Sequence, residues 1–564
     1  MPYRAPITDF RFIFDHVSDF SQVQGTERFG DASDDMVDAI LEGAGRICEE
    51  VLEPLRRTGD MQGAVLENGV VRMPEGFKQA FGELAEGGWI ALSAAQEYGG
   101  MGLPITMTTA LNEMMASTTM GLGLCTILTQ GQIEALEHHA SDPIRETYLP
   151  KLISGEWTGT MNLTEPQAGS DVGALKTRAE PNEDGSYAIT GQKIFITFGD
   201  HDMAENVCHL VLARLPGAPG GTRGISLFMV PKLIPDDAGN TGVANALKVV
   251  SLEEKMGIHS SPTAVMQYDG ATGWLVGEEN KGMAAMFTMM NNARLAVGVQ
   301  GVGCAEGAYQ QSLAYAQERE QMGRIIDHAD VRRMLLTMKA ETFVARAIAV
   351  NCAVAIDMQT ATGEAEWKAR AALLTPIAKA FATDIGCEVA SIGIQVHGGM
   401  GFIEETGAAQ FLRDARITPI YEGTNGIQAA DLVGRKMMDG GEAAFRLLDE
   451  IEAHAESVRS QMPELAEPVW QASETLREAV EWLVAQSDMP TRLAGSVPFL
   501  RAFARVLGGH YHLRAALAEQ GEGARTKLAR FYIMRLLPEH AALLTHAMAG
   551  AGDLFALDED EMAA

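Results

Sequence analysis

Glu422 is the residue of this sequence best placed to do chemistry. It sits in the run Arg413-Asp414-Ala415-Arg416-Ile417-Thr418-Pro419-Ile420-Tyr421-Glu422-Gly423-Thr424-Asn425-Gly426-Ile427-Gln428, between a turn and the start of a helix. Pro419 has no backbone donor, and Gly423 frees the backbone directly after the acid. Asn425, with Gln428 three residues on and Ala429, Ala430, Leu432 and Val433 beyond, reads as the N-cap of an amphipathic helix. Ile417 and Ile420 flank the carboxylate, and a dry pocket would raise its pKa into the range of a general base. The commoner duty of an acid before a helix is to complement the helix dipole, so position alone leaves both readings open.

Two loops carry ligand-like chemistry. In Met161-Asn162-Leu163-Thr164-Glu165-Pro166-Gln167-Ala168-Gly169-Ser170-Asp171, Pro166 and Gly169 force irregular backbone. Thr164, Ser170 and free amides then offer uncharged donors to a planar heterocycle or a phosphate; an ordinary polar boundary loop has the same composition. In Ile394-Gln395-Val396-His397-Gly398-Gly399-Met400-Gly401-Phe402, paired glycines allow close backbone approach to a diphosphate, although a glycine C-cap is the commoner use. His397 reads as structural. Gly301-Val302-Gly303-Cys304-Ala305-Glu306-Gly307 has the wrong spacing for a dinucleotide fingerprint and follows no strand. The pairs His138-His139 and His510/His512 lack companion carboxylates at metal spacing, so no metal site is expected. There is no Gly-x-Ser-x-Gly elbow and no Walker loop.

The elements that must position these residues follow from periodicity. Asp38 to Leu55, Gly76 to Glu86, Thr108 to Ala116 and Gln130 to Glu137 show helical spacing of apolar residues. From about residue 158 the texture becomes β-like: 187–190, 193–197, 209–213, 225–230 and 265–268, punctuated by Gly, Asp and Pro. Helical spacing resumes at Gly282 and includes Val331 to Met358 and Ala365 to Gly393, and a further helical segment follows Gly440-Gly441. The expected fold is α+β without alternating βαβ units. It comprises an N-terminal extension (1–35), an N-terminal α-helical domain (36–157), a middle antiparallel β-barrel or sandwich domain (158–280), a C-terminal four-helix-bundle domain with Glu422 (281–438) and an appended α-helical domain (439–564).

Composition narrows the function classes. The formal net charge is −31 and the pI about 4.8, which argues against nucleic acid and anionic membranes as partners. No apolar stretch reaches spanning length, and no basic-then-apolar leader opens the chain, so a cytoplasmic location is expected. Six scattered cysteines without a Cys-x-x-Cys pair fit free thiols in a reducing compartment.

Taken in order, the segments resemble the acyl-CoA dehydrogenase family. The match runs through Thr164-Glu165-Pro166…Gly169-Ser170-Asp171, Gly191-Gln192-Lys193…Ile196-Thr197, Glu254-Lys255-Met256-Gly257 and Gly277-Glu278…Gly282. It continues through Arg319…Gly323, Gln395…Gly398-Gly399 and Arg413-Asp414…Ile420-Tyr421-Glu422-Gly423-Thr424, over about residues 75–438. Tyr3-Arg4-Ala5-Pro6, Asn425-Gly426 and the extension past 440 resemble the branch that includes 3-methylmercaptopropionyl-CoA dehydrogenases.

The resemblance implies FAD held between the β domain and the second helical domain of a homodimer or homotetramer. Met161, Leu163, Thr164, Gly169, Ser170, Phe195, Ile196 and Thr197 would line the flavin ring, and Thr424 and Asn425 would meet it from the helix start. Arg319, Gln321, Gln395, Val396, Gly398 and Gly399 would hold the ADP half, by analogy from a neighbouring subunit. Ser170, Asn291, Arg294, Tyr421, Gly423 and Arg435 would contact the acyl-CoA. Glu422 would take the α-proton while the β-hydrogen leaves as hydride to flavin N5, giving a trans-2-enoyl-CoA. The Glu422 amide and a flavin ribityl hydroxyl would hold the thioester carbonyl, and electrons would pass to electron-transfer flavoprotein. The expected acyl group is 3-methylthiopropionyl or a fatty acyl chain. Rival readings are an acyl-CoA oxidase using dioxygen, a flavin monooxygenase on the same fold, and a non-catalytic CoA-binding scaffold. Phe195 stands where many relatives have Trp, Asn291 where many have Asp, and Ala329 where many have a FAD-contacting Gln; Arg435 is displaced by one position.

Overall fold

Helices open and close the chain and strands occupy its middle. The computed structural model describes residues 3–564, apart from Asp237 and the side chain of Asn291. Two units emerge, one of residues 40–296 and one joining 3–39 to 297–564.

In the first unit, α1 (Ile105–His139) is a single 35-residue helix buried along most of its length. Thr108 to Ala116 and Gln130 to Glu137, expected as separate helices, are its two ends. No proline interrupts the intervening apolar run, so the only concession is non-helical backbone at Thr119 (φ −134°, ψ 71°). There the Thr119 hydroxyl donates to Leu52 O at 2.6 Å. Close by, a Cβ on Gly121 would come within 2.1 Å of Ser260 Oγ.

The sheet of this unit is built from β1 (Trp157–Asn162), β2 (Arg178–Pro181), β3 (Tyr187–Thr197), β4 (Asn206–Ala213), β5 (Ser226–Pro231), β6 (Leu247–Leu252) and β7 (Thr263–Val276). Their order is β1-β4-β5-β7-β3-β2, with β6 on β7. Strand β7 is long enough to pair with β3 over Thr263 to Gly273 and with β5 over Trp274 to Val276. The Ala179 amide donates to Arg214 O and the Arg214 amide to Thr177 O, each at 2.9 Å, which brings β2 back to the end of β4 and rounds the sheet toward a barrel. Pairing is antiparallel except between β1 and β4, which run parallel, and at the isolated parallel bridge between Arg178 and Arg214. Val211, Phe228, Val230, Met266 and Tyr268 fill one side. On the other, Trp157, Leu210, Leu212 and Met229 pack with Leu149, Leu152 and Met286.

The helix α2 (Gly282–Glu318) begins in the first unit and continues into the second. There it meets α3 (Ala329–Thr362) and α4 (Ala365–His397), joined at left-handed Gly363. Gly301 lets α2 approach α4 closely, since a Cβ there would sit 2.3 Å from Ala382 O. Beyond α4 come α5 (Asn425–Asp431), α6 (Glu442–Val458), α7 (Pro463–Ala485) and α8 (Ser496–Ala518). Arg505 of α8 pairs with buried Glu341 of α3 and with Glu539. The N-terminal helix Ile7–His16 buries Phe10, Ile13 and Phe14, and its Asp9 contacts Arg346 and Arg525 in the same unit.

Candidate active site

The Glu422 turn is a strained piece of backbone. Glu422 itself has φ +55° and Gly423 φ +84°, and a positive φ on a non-glycine residue is costly unless its surroundings enforce it. Three kinds of contact do so. The Lys379 ammonium donates to Gly423 O at 2.8 Å. Gln428 Nε2 reaches Glu422 O at 3.3 Å and Gly423 O at 3.4 Å. The Asn425 amide donates to Pro419 O at 3.0 Å.

The helix that follows starts at Asn425, and its N-cap is Thr424, whose hydroxyl accepts from the Ile427 amide. This corrects the expected cap by one residue. Asn425 faces inward, where its side chain is engaged by α4. Gln428 correspondingly turns toward the carbonyls of the turn rather than closing a capping box.

Tyr421 is held through its hydroxyl, which donates to Gln300 Oε1, and burial pushes its pKa well up, so it stays a neutral phenol. Glu422 is half-buried. Ile420 is 49% exposed, so within this unit it does not dry the acid as its apolar character suggested.

The loop 161–171 and the end of β3 form a second cluster in the first unit. Glu165 anchors it. Its Oε1 accepts from Lys193 Nζ at 2.9 Å and from the Thr177 hydroxyl at 2.6 Å, and Oε2 accepts from the Lys176 amide at 2.7 Å. Burial would raise the Glu165 pKa, but Lys193 and these hydrogen bonds pull it down to about 2. The Lys193 ammonium also donates to Leu163 O at 3.0 Å, and the Ile194 amide donates to Thr164 O at 2.9 Å. The loop is thereby pinned to β3.

On this frame Met161, Leu163, Thr164 and Thr197 are half-buried, Gly169 and Ser170 are exposed, and Ile196 is buried. Phe195 is 58% exposed on a left-handed residue (φ +60°) within a strand. An aromatic ring held out by strained backbone, beside uncharged hydroxyls, is a platform for a flat polar ring. Arg294 is buried in the first half of α2. The Asn291 side chain lies outside the described residues.

The third cluster stands at the far end of α4. Tyr315 stacks on His397 at 4.4 Å, which brings the end of α2 to Gln395–Gly399. The His397 ring bonds Gly393 O and is structural, as expected. Arg319, Gln321, Gln395, Gly398 and Gly399 are exposed, with open space around both glycines, whereas the Val396 side chain is buried. Val396 can therefore offer a ligand only backbone.

Lys379 and Gln395 are sixteen residues apart on one helix, about 24 Å. The Glu422 turn and the Gln395–Gly399 bend are thus separate places on this chain. Arg435 is 62% exposed on its side chain and paired with Asp431 in the irregular turn after α5. Ala329 opens α3 and offers no side-chain polar group.

Sequence reasoning passed over the groups that hold the clusters: Glu165 and Lys193 in one, Lys379, Asp384 and Gln300 in the other. The available signal was a charged residue inside an otherwise apolar stretch, as in Ile377-Ala378-Lys379-Ala380-Phe381.

Among proteins of known kind, 3-methylmercaptopropionyl-CoA dehydrogenase of Ruegeria pomeroyi is 48% identical over 550 residues, 94% of each chain. A butyryl-CoA dehydrogenase of Syntrophomonas wolfei is 33% identical over 95% of each chain. Family models match as "Acyl-CoA dehydrogenase, N-terminal domain" over 35–156, "middle domain" over 160–271 and "C-terminal domain" over 280–438. The chain belongs to the acyl-CoA dehydrogenase family.

A further model, "Acetyl-CoA dehydrogenase C-terminal like", matches 447–558. Solved structures share the fold. Caenorhabditis elegans ACDH-11 in complex with C11-CoA superposes with TM-score 0.81 over 95% of this chain and 92% of its own at 21% identity, a likeness of fold. Butyryl-CoA dehydrogenase from Megasphaera elsdenii covers 71% of this chain and 98% of its own, with TM-score 0.61 and 26% identity. As an acyl-CoA dehydrogenase the chain is an oxidoreductase.

Proposed function

We propose that the chain carries out FAD-dependent α,β-dehydrogenation of an acyl-CoA thioester, with Glu422 as the base. The observation that carries the reading is the turn itself: a carboxylate presented on left-handed backbone that a buried ammonium and a glutamine hold in place. Such strain persists where the geometry of the side chain has a use. The exposed Phe195 ring, the Thr164, Ser170 and Thr197 hydroxyls and the open backbone at Gly169 suit the isoalloxazine of FAD, and a Bacillus anthracis neighbour of the same fold is described in complex with FAD. When bound, FAD supplies the acceptor for the hydride that leaves carbon three.

The residues of the chain do the remainder. The Glu422 carboxylate takes the proton from carbon two, and its backbone amide donates to the thioester carbonyl, where negative charge develops. Tyr421 and Gly423, on the turn of the base, are assigned to the acyl group; in the other unit the resemblance assigns Ser170 to the acyl group and Arg294 to the CoA portion. Arg319, Gln321 and Gln395–Gly399 take the ADP half of a FAD bound to a second copy, which fits their separation of about 24 Å along α4 from the base turn. The product is a trans-2-enoyl-CoA, and electrons pass to electron-transfer flavoprotein in the cytoplasm.

The acyl group proposed is 3-methylthiopropionyl, by likeness to the Ruegeria relative, or a short fatty acyl chain, by likeness to the butyryl-CoA dehydrogenases. Anaerobic titration of the flavin-loaded protein with a panel of acyl-CoA esters tests this. One member bleaches the flavin absorbance stoichiometrically; a panel that leaves the flavin oxidised throughout overturns the reading in favour of a CoA-binding scaffold. Dioxygen consumption at the rate of dye reduction would assign the oxidase reading instead.

A further inference from the structure

Behind the Glu422 turn stands a polar cluster around buried Lys379, of whose members only Asn425 was expected to meet the flavin. Lys379 lies midway along α4, fully buried, with its ammonium on Gly423 O at 2.8 Å and on Asn425 Oδ1 at 2.9 Å. Asn425 is held on all sides. Its Oδ1 also accepts from the Thr383 hydroxyl at 3.2 Å, and its Nδ2 donates to Ala380 O at 3.1 Å and Asp384 Oδ1 at 2.7 Å. The C-terminal module adds the last member. Arg501 of α8 pairs with Glu388, one turn along α4 from Asp384, while burial raises the Asp384 pKa and the hydrogen bond from Asn425 is the main influence against that rise.

A buried ammonium is costly to desolvate, and an apolar residue of like volume would fill the same space more cheaply. Lys379 directs two donors at the two residues that flank Thr424, and one of its acceptors is the carbonyl directly after the base. Two consecutive left-handed residues do not hold themselves in one conformation. Gln428 supports them from the helix side only, through contacts of 3.3 and 3.4 Å. The ammonium supplies the shorter contact from the opposite side.

We propose that Lys379 is a positioning residue for Glu422, clamping the Gly423 carbonyl and the Asn425 side chain, that Asp384 braces this clamp through Asn425, and that Arg501 of the C-terminal module, paired with Glu388, steadies the same stretch of α4. The inference rests on Glu422 being the base. It assigns residues beyond 439 a share in catalysis that needs no contact with substrate: they stiffen the turn through α4 and α5.

The experiment uses the flavin-loaded protein, the acyl-CoA that best bleaches it, and the same ester deuterated at carbon two. In Lys379→Met, kcat falls about tenfold to a hundredfold while KM changes by less than about threefold, because a displaced base impairs proton removal more than binding. The deuterium isotope effect on kcat rises, which a general loss of stability would not produce. Asn425→Ala gives a loss of the same kind. The double variant is no worse than about threefold beyond the poorer single one, since both act through one turn.

Arg501→Gln lowers kcat by about threefold with the same rise in isotope effect. If Lys379→Met does not fold, Asn425→Ala alone carries the test. Values of kcat within about twofold of the unaltered protein in the folded variants, or a lower kcat with an unchanged isotope effect, overturn the clamp. An unaltered protein that no thioester bleaches overturns instead the assignment of Glu422 on which the clamp depends.

Discussion

Glu165 and Lys193 meet at 2.9 Å with 4% and 0% of their side chains exposed. Removing one partner leaves the other charge buried, so Lys193→Met is expected to lose about 3–5 kcal/mol of stability in chemical denaturation. The pair also fixes an acid limit. The folded Glu165 pKa is lowered to about 2 from 4.5, so its contribution is complete above the ordinary value and disappears as pH falls through 2. In Lys193→Met the charge that lowers the Glu165 pKa is gone, so this pH-dependent contribution shrinks, and the stability gap between parent and variant should narrow as pH falls from 4.5 toward 2. The candidate base was legible because Pro419 and Gly423 punctuate the sequence around it. The capping residue was not, because Thr424 and Asn425 both suit an N-cap and only the inward pull of Lys379 and Asp384 removes Asn425 from that role. Lys379 and Lys193 were illegible as supports for a related reason: periodicity marks buried positions but does not say which carbonyl a buried ammonium will find.

At the scale of elements, the long helices declared themselves by spacing, and their joints did not. Helical spacing was legible only at 108–116 and 130–137, but burial along most of α1 carries the helix through Gly121 and Gly123, and a single irregular residue, Thr119, marks the kink. The strands were placed by their Val, Ile and Phe content, whereas the parallel pairing of β1 with β4 depends on contacts nearly fifty residues apart. Close helix approach follows from glycine rather than from the apolar stripe. Gly301→Ala should cost about 1–3 kcal/mol in the stability of the 297–564 unit, because its Cβ would meet the Ala382 carbonyl and backbone cannot yield as a side chain does. A denaturation midpoint unchanged from the parent would contradict that packing.

For the whole molecule, a formal charge of −31 spreads over 564 residues and sets a pI near 4.8. Solubility should pass through a minimum near that pH and recover above it, which turbidity against pH will read. No helix among the described residues is long and apolar enough to cross a membrane, as the sequence led one to expect. The match to the Ruegeria relative covers 94% of this chain and so takes in most of the module beyond 439, whose Arg505 and Arg501 pair with Glu341 of α3 and Glu388 of α4. It is therefore a structural part of the unit that holds Glu422 rather than a passenger. Rapid mixing of the Glu422→Gln protein with acyl-CoA under anaerobic conditions tests the proposed base most directly. The account predicts that the variant keeps its flavin and binds the thioester but reduces the flavin at least about a thousandfold more slowly than the parent; reduction at an undiminished rate would contradict it.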